Sequence, residues 1–175
     1  MENTPPAGGV RFDYTPTKSV TLTYDNFIGN AAPDSAAVRL RLYHDVIAQY
    51  SPNDQWQFAA VYSLGTQGNS TPSGGTASWW GMTSFVKYHA TPRLAVVGRV
   101  EEYSDPGQVI VVTGLPASFQ TIGGSLGIDV HLQAPVLWRT ELRGFHSKDA
   151  VWPLHTAGSL GRDNVFFVSS LALTF

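Results

Sequence analysis

The sequence predicts an all-β fold, a transmembrane antiparallel up-and-down β-barrel of eight strands with short periplasmic turns and long extracellular loops. Three observations predict it. Apolar and polar residues alternate with a period of two along most of the chain. Short proline-containing turns alternate with longer polar loops. The chain ends on an aromatic, uncharged strand whose last residue is Phe175, which is typical of the closing strand of a bacterial outer-membrane barrel.

The composition fits a chain whose apolar residues are dispersed along strands. Its 175 residues are enough for one domain, only 14% of them are charged, and the net charge is -2. No run of eighteen apolar residues occurs, so the sequence predicts no membrane helix. The absence of cysteine excludes disulfides and thiolate metal ligands. The basic residues are scattered, and we expect no nucleic-acid partner.

The beginning of the chain, residues 1–16, predicts a flexible periplasmic arm that precedes a single barrel domain at 17–175. It has neither the basic nor the apolar region of a signal peptide, so we expect any export signal to have been removed or replaced. Residues 10–14 alternate weakly. A ninth strand there would have to close the barrel in parallel, which favours the arm.

Four short turns repeat along the chain, with prolines at positions 16, 52, 92 and 135. A near-regular period of this length indicates a repeated supersecondary unit, here a pair of strands, because proline presets a central dihedral of a tight turn. The connections between these turns are longer and rich in Gly, Pro, Ser and Asn, at 29–36, 67–77, 105–117 and 148–163. Short turns at one end and long loops at the other are the asymmetry of outer-membrane barrels.

Eight strands are predicted between these connections. Most exceed the roughly 9–11 residues that a tilted strand needs to cross the hydrocarbon. An even number lets the first and last strands pair antiparallel and leaves no free edge. The predicted strands span residues 18–28, 37–50, 55–66, 77–90, 93–104, 117–132, 136–147 and 164–175.

The alternation separates an apolar face from a charged one, and we assign the apolar face to lipid, where a charge at mid-bilayer would cost about 2–4 kcal/mol. His44 is the exception: strict alternation places it outward, and a bulge near Tyr43 or a different register would account for it. The predicted lumen-lining residues are Arg39, Arg41, Asp45, Lys87, Arg99, Glu101, Asp129, Arg139, Glu141 and Arg143. The predicted membrane girdle consists of Tyr24, Trp56, Tyr88, Trp138 and Phe175.

The predicted lumen admits two interpretations. The interior of an eight-stranded barrel is about wide enough for side chains to fill. Its charges would then pair, Arg99 with Glu101 and Glu141 with its arginine neighbours, into a plug that braces the interior. The alternative is a narrow water-filled path lined by arginines that favours anions.

Catalysis and soluble ligand binding are the remaining alternatives. Outer-membrane hydrolases need a histidine with an aspartate at the rim, and the last long loop supplies His146, Asp149, His155 and Asp163. Chance proximity of polar loop residues explains these equally well, and no metal-ligand spacing, phosphate loop or nucleophile elbow occurs. Charged inner faces argue against a soluble lipid-binding barrel. We therefore expect neither an enzyme nor a cofactor.

Several stretches carry a family resemblance: WWG at 79–81, YHATP at 88–92, LAVVGRVEEYSDPG at 94–107, GSLGID at 124–129, LWRTELR at 137–143 and the terminal strand. With them the chain, from about Thr17 to its end, resembles the C-terminal part of the OmpL-like β-barrel porin family of Gram-negative bacteria. The resemblance implies an outer-membrane location and passive diffusion of small polar solutes. Family members are usually longer, so this chain either closes as a small barrel or associates, as a fragment or subunit, into a larger one.

Three partners are expected on the same grounds. The apolar face would contact outer-membrane lipid or detergent. The terminal segment 164–175 resembles the signal that the barrel-insertion machinery reads. Self-association would follow if the chain contributes to a larger barrel.

Overall fold

Antiparallel strands make up nearly all of the computed structural model, which describes residues 6–32, 38–68, 73–115, 118–133, 136–156 and 158–173. Within this part no helix is long and apolar enough to cross a membrane. Nine strands form one sheet, in which each strand pairs with its neighbours in sequence, and a separate two-stranded sheet lies in the last loop. The strands are β1 (Arg11–Thr17), β2 (Val20–Asn30), β3 (Leu40–Tyr50), β4 (Trp56–Gln67), β5 (Ala77–Thr91), β6 (Leu94–Asp105), β7 (Phe119–Gln133), β8 (Val136–Ser147), β9 (Trp152–Pro153), β10 (Leu160–Gly161) and β11 (Asp163–Leu173).

The prediction of an all-β antiparallel fold is confirmed, but closure as an eight-stranded barrel is not. Each of the eight predicted strands corresponds to a strand of the large sheet, and β1 is added as a ninth. Among the described residues no pairing joins β1 to β11, so the sheet is open. Because neighbouring strands alternate in direction, the first and the ninth run the same way.

The strand β1 corrects the expectation that residues 11–16 belong to a flexible arm. Arg11 lies opposite Asp25 of β2 and Tyr14 opposite Leu22. The carboxylate of Asp13 accepts hydrogen bonds from the Thr23 hydroxyl (2.6 Å) and from Nε of Arg11 (2.9 Å). The argument from parallel closure does not exclude this strand, because β1 pairs with β2 alone and β11 is not its neighbour.

The two ends of the sheet differ in the length of their connections. Short connections at 18–19, 51–55, 92–93 and 134–135 define the turn end, and long ones at 31–39, 68–76, 106–118 and 148–162 define the loop end. Side-chain oxygens cap two of the short turns: Oδ1 of Asn53 accepts from the backbone N–H of Trp56 (3.0 Å), and Oγ1 of Thr91 accepts from that of Leu94 (3.0 Å). These bonds satisfy backbone donors at the points where the chain reverses.

The two faces of the sheet invert the usual distribution of polar and apolar residues. We call the face of odd-numbered residues in β1–β8 the inner face and the opposite one the outer face; in β11 the even-numbered residues lie inside. The outer face exposes large apolar side chains such as Leu126, Leu142 and Phe167, each more than half exposed. The buried polar residues outnumber the buried apolar ones in the described part, and all of them lie on the inner face: Thr23, Gln67, Asp105, Thr121, Asp129 and Ser147. A sheet in water would show the reverse.

Candidate functional site: the charged inner face

The inner face of β5–β8 brings together most of the charged residues that the alternation predicts to line a lumen. Four cationic and three carboxylate side chains lie there, and we call this group the ionic belt. Two of its carboxylates, Asp129 and Glu101, each bind two cations. The members of the belt are Lys87, Arg99, Glu101, Asp129, Arg139, Glu141 and Arg143.

Asp129 of β7 is the centre of the half of the belt that lies near the turn end. Arg139, directly opposite on β8, donates from Nε to Oδ1 (2.7 Å) and from Nη2 to Oδ2 (2.9 Å). Lys87 reaches from β5 and places Nζ 2.8 Å from Oδ2. This contact spans β6, whose residue opposite Asp129 is the small Ala95. The aspartate is only 1% exposed, and ion pairs of this geometry compensate the burial of its charge.

Glu101 of β6 is the centre of the other half. Arg99 donates from Nη2 to Oε2 (2.6 Å), and Arg143 of β8 donates to both carboxylate oxygens, from Nε to Oε1 at 2.8 Å and from Nη2 to each oxygen. The pair of Glu101 and Arg143 spans the intervening strand β7. Gly123 of β7 lies directly opposite Glu101, and a Cβ at this position would lie 2.9 Å from Oε1 of Glu101. The absence of a side chain at this position therefore permits the contact.

Aromatic rings hold two guanidinium groups of the belt in place. Cζ of Arg143 lies 4.6 Å from the ring centroid of Phe145 and 5.9 Å from that of Phe166. Cζ of Arg99 lies 5.3 Å from the centroid of Phe85. Stacking on an aromatic face favours a cation electrostatically and restricts its orientation.

Three of the predicted lumen residues lie apart from the belt. Nε of Arg41 donates to Oε1 of Gln67 (2.8 Å), and its guanidinium covers the ring of Trp79 at 5.5 Å. Asp45 accepts hydrogen bonds from the hydroxyls of Tyr43 (3.0 Å) and Ser63. Arg39 precedes β3 in the loop, where its backbone N–H donates to Oδ1 of Asn30 (2.9 Å).

Two cavities follow the inner face. The turn-side cavity, of about 520 Å³, is lined by five members of the belt together with Gln49 and Gln57. The loop-side cavity, of about 530 Å³, is more apolar. Its lining includes Phe27, Arg41, Tyr43, Trp79, Glu101 and Ile110, the last of which belongs to the connection between β6 and β7.

The predicted girdle residues lie on the outer face, except that Phe175 is outside the described residues. Trp56 and Tyr88 are opposite each other near the turn end, with ring centroids 4.6 Å apart. Trp138, also near the turn end, donates from Nε1 to Oγ of Ser169 (2.8 Å). Tyr24 lies in the middle of β2, and its hydroxyl is 2.7 Å from Nδ1 of His44.

The contact with Tyr24 explains how His44 can lie on the outer face, and no bulge is needed. The registers of β3 with β2 and with β4 are continuous past Tyr43, so His44 stays on the outer face as strict alternation requires. The tyrosine hydroxyl supplies the polar partner that the imidazole lacks in an apolar surrounding. A hydrogen bond between two side chains of neighbouring strands could not be foreseen before the register was known.

Of the histidine and aspartate candidates for catalysis, His146 and Asp163 contact each other. Nδ1 of His146 lies 2.7 Å from Oδ1 of Asp163, at an exposed position of the outer face near the loop end. Asp149 contacts a different residue, Ser118, at 3.4 Å. In the described ranges no serine hydroxyl bonds to the imidazole of His146, and no group of three potential metal ligands occurs.

Antiparallel strands with an apolar outer face and a charged, cavity-lined inner face are the strand pattern of the β-barrel porins. The chain matches, over all of its residues 1–175, the family model described as "Putative beta-barrel porin-2, OmpL-like", and it belongs to that family. The match includes residues 1–16, of which residues 11–16 belong to β1. Comparisons with curated proteins and with solved structures gave no match.

Proposed function

We propose that this protein resides in the bacterial outer membrane, where its charged inner face lets small polar solutes diffuse passively, with a preference for anions. The single observation that carries the preference is the unequal exposure of the ion pairs in the belt. The side chain of Arg139 is 52% exposed, whereas the Asp129 carboxylate beneath it is 1% exposed. A solute in the turn-side cavity would therefore meet cations first.

The second half of the belt shows the same order. Arg99 and Arg143 are 24% and 19% exposed, and the Glu101 that they share is 13% exposed. Carboxylates that lie beneath guanidinium groups neutralise part of their charge, while Arg99 and Arg139 still line the turn-side cavity. Charged side chains that line a narrow pore set its selectivity.

Membrane insertion is supported by the outer face and by the family. Apolar side chains on β11, including Val165, Phe167 and Leu171, are about two-thirds exposed, which is favourable when the surrounding solvent is lipid. We infer that the same strand is what the barrel-insertion machinery contacts. Membership in a porin family also supports a role without catalysis.

The competing interpretation, in which the belt is a plug, differs in conductance. The test is a planar-bilayer recording of the refolded protein with a salt gradient. Steady conductance with a reversal potential that indicates anion preference supports the proposal. Arg139→Gln should shift that potential towards cations, and Arg162→Gln, the same change of charge in the exposed loop, should shift it little. A folded protein without conductance would favour the plug and contradict the proposal.

Association into a larger barrel is a second candidate, and the strand count favours it. The nine strands leave β1 and β11 as edges that run in the same direction. Closure of this sheet on itself would need a parallel pair, whereas bacterial single-chain barrels have even numbers of antiparallel strands. Strands from other chains that pair with β1 and β11 would leave neither strand as a free edge.

Cross-linking in lipid distinguishes a single-chain pore from an associated barrel. The chain has no cysteine of its own, so cysteines can be introduced at chosen positions. Single cysteines at Tyr14 of β1 and Leu171 of β11 would both lie on the outer face. A cross-link within one chain means closure of the single sheet. A cross-link between chains, together with a larger mass in detergent, means association.

A further inference from the structure

We propose that the connection between β6 and β7 is a fixed inward-folded constriction, in which Ile110 limits the size of the solute that passes. Asp105, the last residue of β6, is the positioning residue that holds this loop. The inference rests on the proposed diffusion function and assigns its size limit to a segment outside the ionic belt.

The loop is anchored on a buried carboxylate. Asp105 has no exposed surface. Its Oδ1 accepts from the backbone N–H of Val109 (2.9 Å), and its Oδ2 accepts from those of Ile110 (2.7 Å) and Val111 (2.9 Å). Three backbone donors on one carboxylate fix the path of consecutive residues and satisfy the charge that burial would otherwise destabilise.

A second side chain braces the rest of the loop. Gln108 has a positive φ of 49°, a backbone conformation that needs support in a residue with a side chain. Its amide Nε2 donates to the carbonyl of Leu115 (2.7 Å), and its Oε1 accepts from both the backbone N–H and the hydroxyl of Thr113 (2.8 Å each). The loop is therefore cross-linked across eight residues, 108–115, by one glutamine.

The loop turns towards the inner face. A Cβ at Gly107 would lie 3.0 Å from Cβ of Ala77, a buried inner-face residue of β5. Ile110 lines the loop-side cavity together with Phe27 of β2 and Tyr43 of β3. The loop leaves from β6, so its tip crosses the inner space towards strands three and four positions away in the sheet.

The chemistry of the tip points to a limit on size. Ile110 carries no charge and is 45% exposed, so its side chain occupies cavity space without binding an ion. The ionic belt, which would set charge preference, lies mainly on the turn side. Changes at Ile110 should therefore alter which solutes fit and leave ion selectivity unchanged.

The first experiment measures permeation of uncharged sugars of graded size into lipid vesicles that contain the full chain. Ile110→Ala should raise the ratio of large-sugar to small-sugar permeation severalfold, and Ile110→Trp should lower it. Asp105→Asn should act like Ile110→Ala, because the amide group replaces an acceptor by a donor and releases the tip. Val112→Ala, which shortens a 75% exposed side chain of the same loop, is the matched control and should have little effect.

Reversal potentials of the same variants distinguish positioning from general damage to the barrel. They should equal that of the unchanged protein, since the belt is intact. A permeation ratio that is unchanged in both Ile110 variants overturns the constriction while the diffusion function stands. Absence of permeation in every protein, including the unchanged one, overturns both.

Cross-linking tests the placement of the loop without a working pore. Cysteines at Ile110 and Tyr43 should be joined by a short bismaleimide, and the added Asp105→Asn change should reduce the yield. Cysteines at Phe27 and Tyr43, which are directly opposite in the sheet, are the positive control. Failure of the Ile110 pair alone would overturn the inward placement.

Discussion

Arg143 on β8 and Glu101 on β6 are joined across β7 by hydrogen bonds to both carboxylate oxygens. The contact is possible because the inner face of β7 carries small residues where the two side chains pass, namely Gly123, Ser125 and Gly127. Bulkier side chains there would separate the charges of the two flanking strands. The row of small residues thus lets charges on β6 and β8 meet across β7, and the residues involved can be tested singly.

The first prediction concerns Gly123. A Cβ there would meet the Phe145 ring at 2.7 Å and Oε1 of Glu101 at 2.9 Å, so Gly123→Ala must displace both. We expect the free energy of unfolding in lipid, measured by urea titration, to fall by about 1–3 kcal/mol, as overpacking usually does. The neighbouring glycine is the control: a Cβ at Gly124 has ordinary contact at 3.7 Å, and Gly124→Ala should change stability by less than about 0.5 kcal/mol. Equal losses in the two variants would contradict the crossing of β7.

The second prediction separates the charges of the Glu101 cluster. Glu101→Gln removes the shared anion and leaves Arg99 and Arg143 uncompensated, so anion preference in reversal-potential measurements should increase. Arg143→Gln should decrease it. Each change also leaves a partner without its ion pair and should lower the free energy of unfolding by about 1–3 kcal/mol.

The control for this charge change is the adjacent residue. Glu102 follows Glu101 in sequence, but its side chain lies on the outer face of the sheet. Glu102→Gln removes one negative charge, as Glu101→Gln does. It should leave the reversal potential where it is. A shift as large as that of Glu101→Gln would mean that selectivity is set by overall charge and not by the inner face.

Period-two alternation accounts for much of this arrangement, because it assigns Arg99, Glu101, Asp129 and Arg139 to one face without any knowledge of pairing. It does not reveal which charges meet. The contact between Arg143 and Glu101 depends on the register of the strands and on Gly123 in a third strand. A pattern within one strand therefore cannot predict it. The row of small residues in β7 was visible in the sequence, and its alternation with larger outer residues is the signal that could have found the crossing.

The strand β1 is not predicted for a different reason. Residues 10–14 alternate only weakly, and parallel closure excludes a ninth strand only if the sheet closes within one chain. The stabilising contacts of β1 involve Asp13 with Thr23 and Arg11, and they require only β2 as a neighbour. Similarly, the anchoring of the loop by Asp105 uses backbone N–H groups, which a pattern of side chains does not show.

The third prediction concerns the polar pair on the outer face. Tyr24→Phe removes the hydroxyl that contacts His44 and leaves the imidazole without this partner in an apolar surrounding. The free energy of unfolding should fall by about 1–3 kcal/mol. Tyr62→Phe, at another outer-face tyrosine, is the matched control and should have a smaller effect.

A double variant completes this test. Replacing both partners, with Tyr24→Phe and His44→Leu together, removes the unsatisfied group and should restore most of the stability lost in the single Tyr24 variant. If the loss in the double variant equals the sum of the losses in Tyr24→Phe and His44→Leu alone, the hydrogen bond between these side chains does not contribute to stability.

The fourth prediction tests which face meets lipid. Trp138 is 40% exposed on the outer face, and Trp79 is 4% exposed on the inner face. In variants that keep one of these tryptophans and replace the other four by phenylalanine, lipids with brominated acyl chains should quench the fluorescence of Trp138 strongly and that of Trp79 weakly. Quenching falls off within a short distance, so the difference reports direct contact with the chains. An aqueous quencher such as iodide checks that neither result reflects unfolding, since an unfolded chain would expose both residues alike. Stronger quenching of Trp79 by the brominated lipid would reverse the assignment of the faces, and with it the assignment of the ionic belt to the interior.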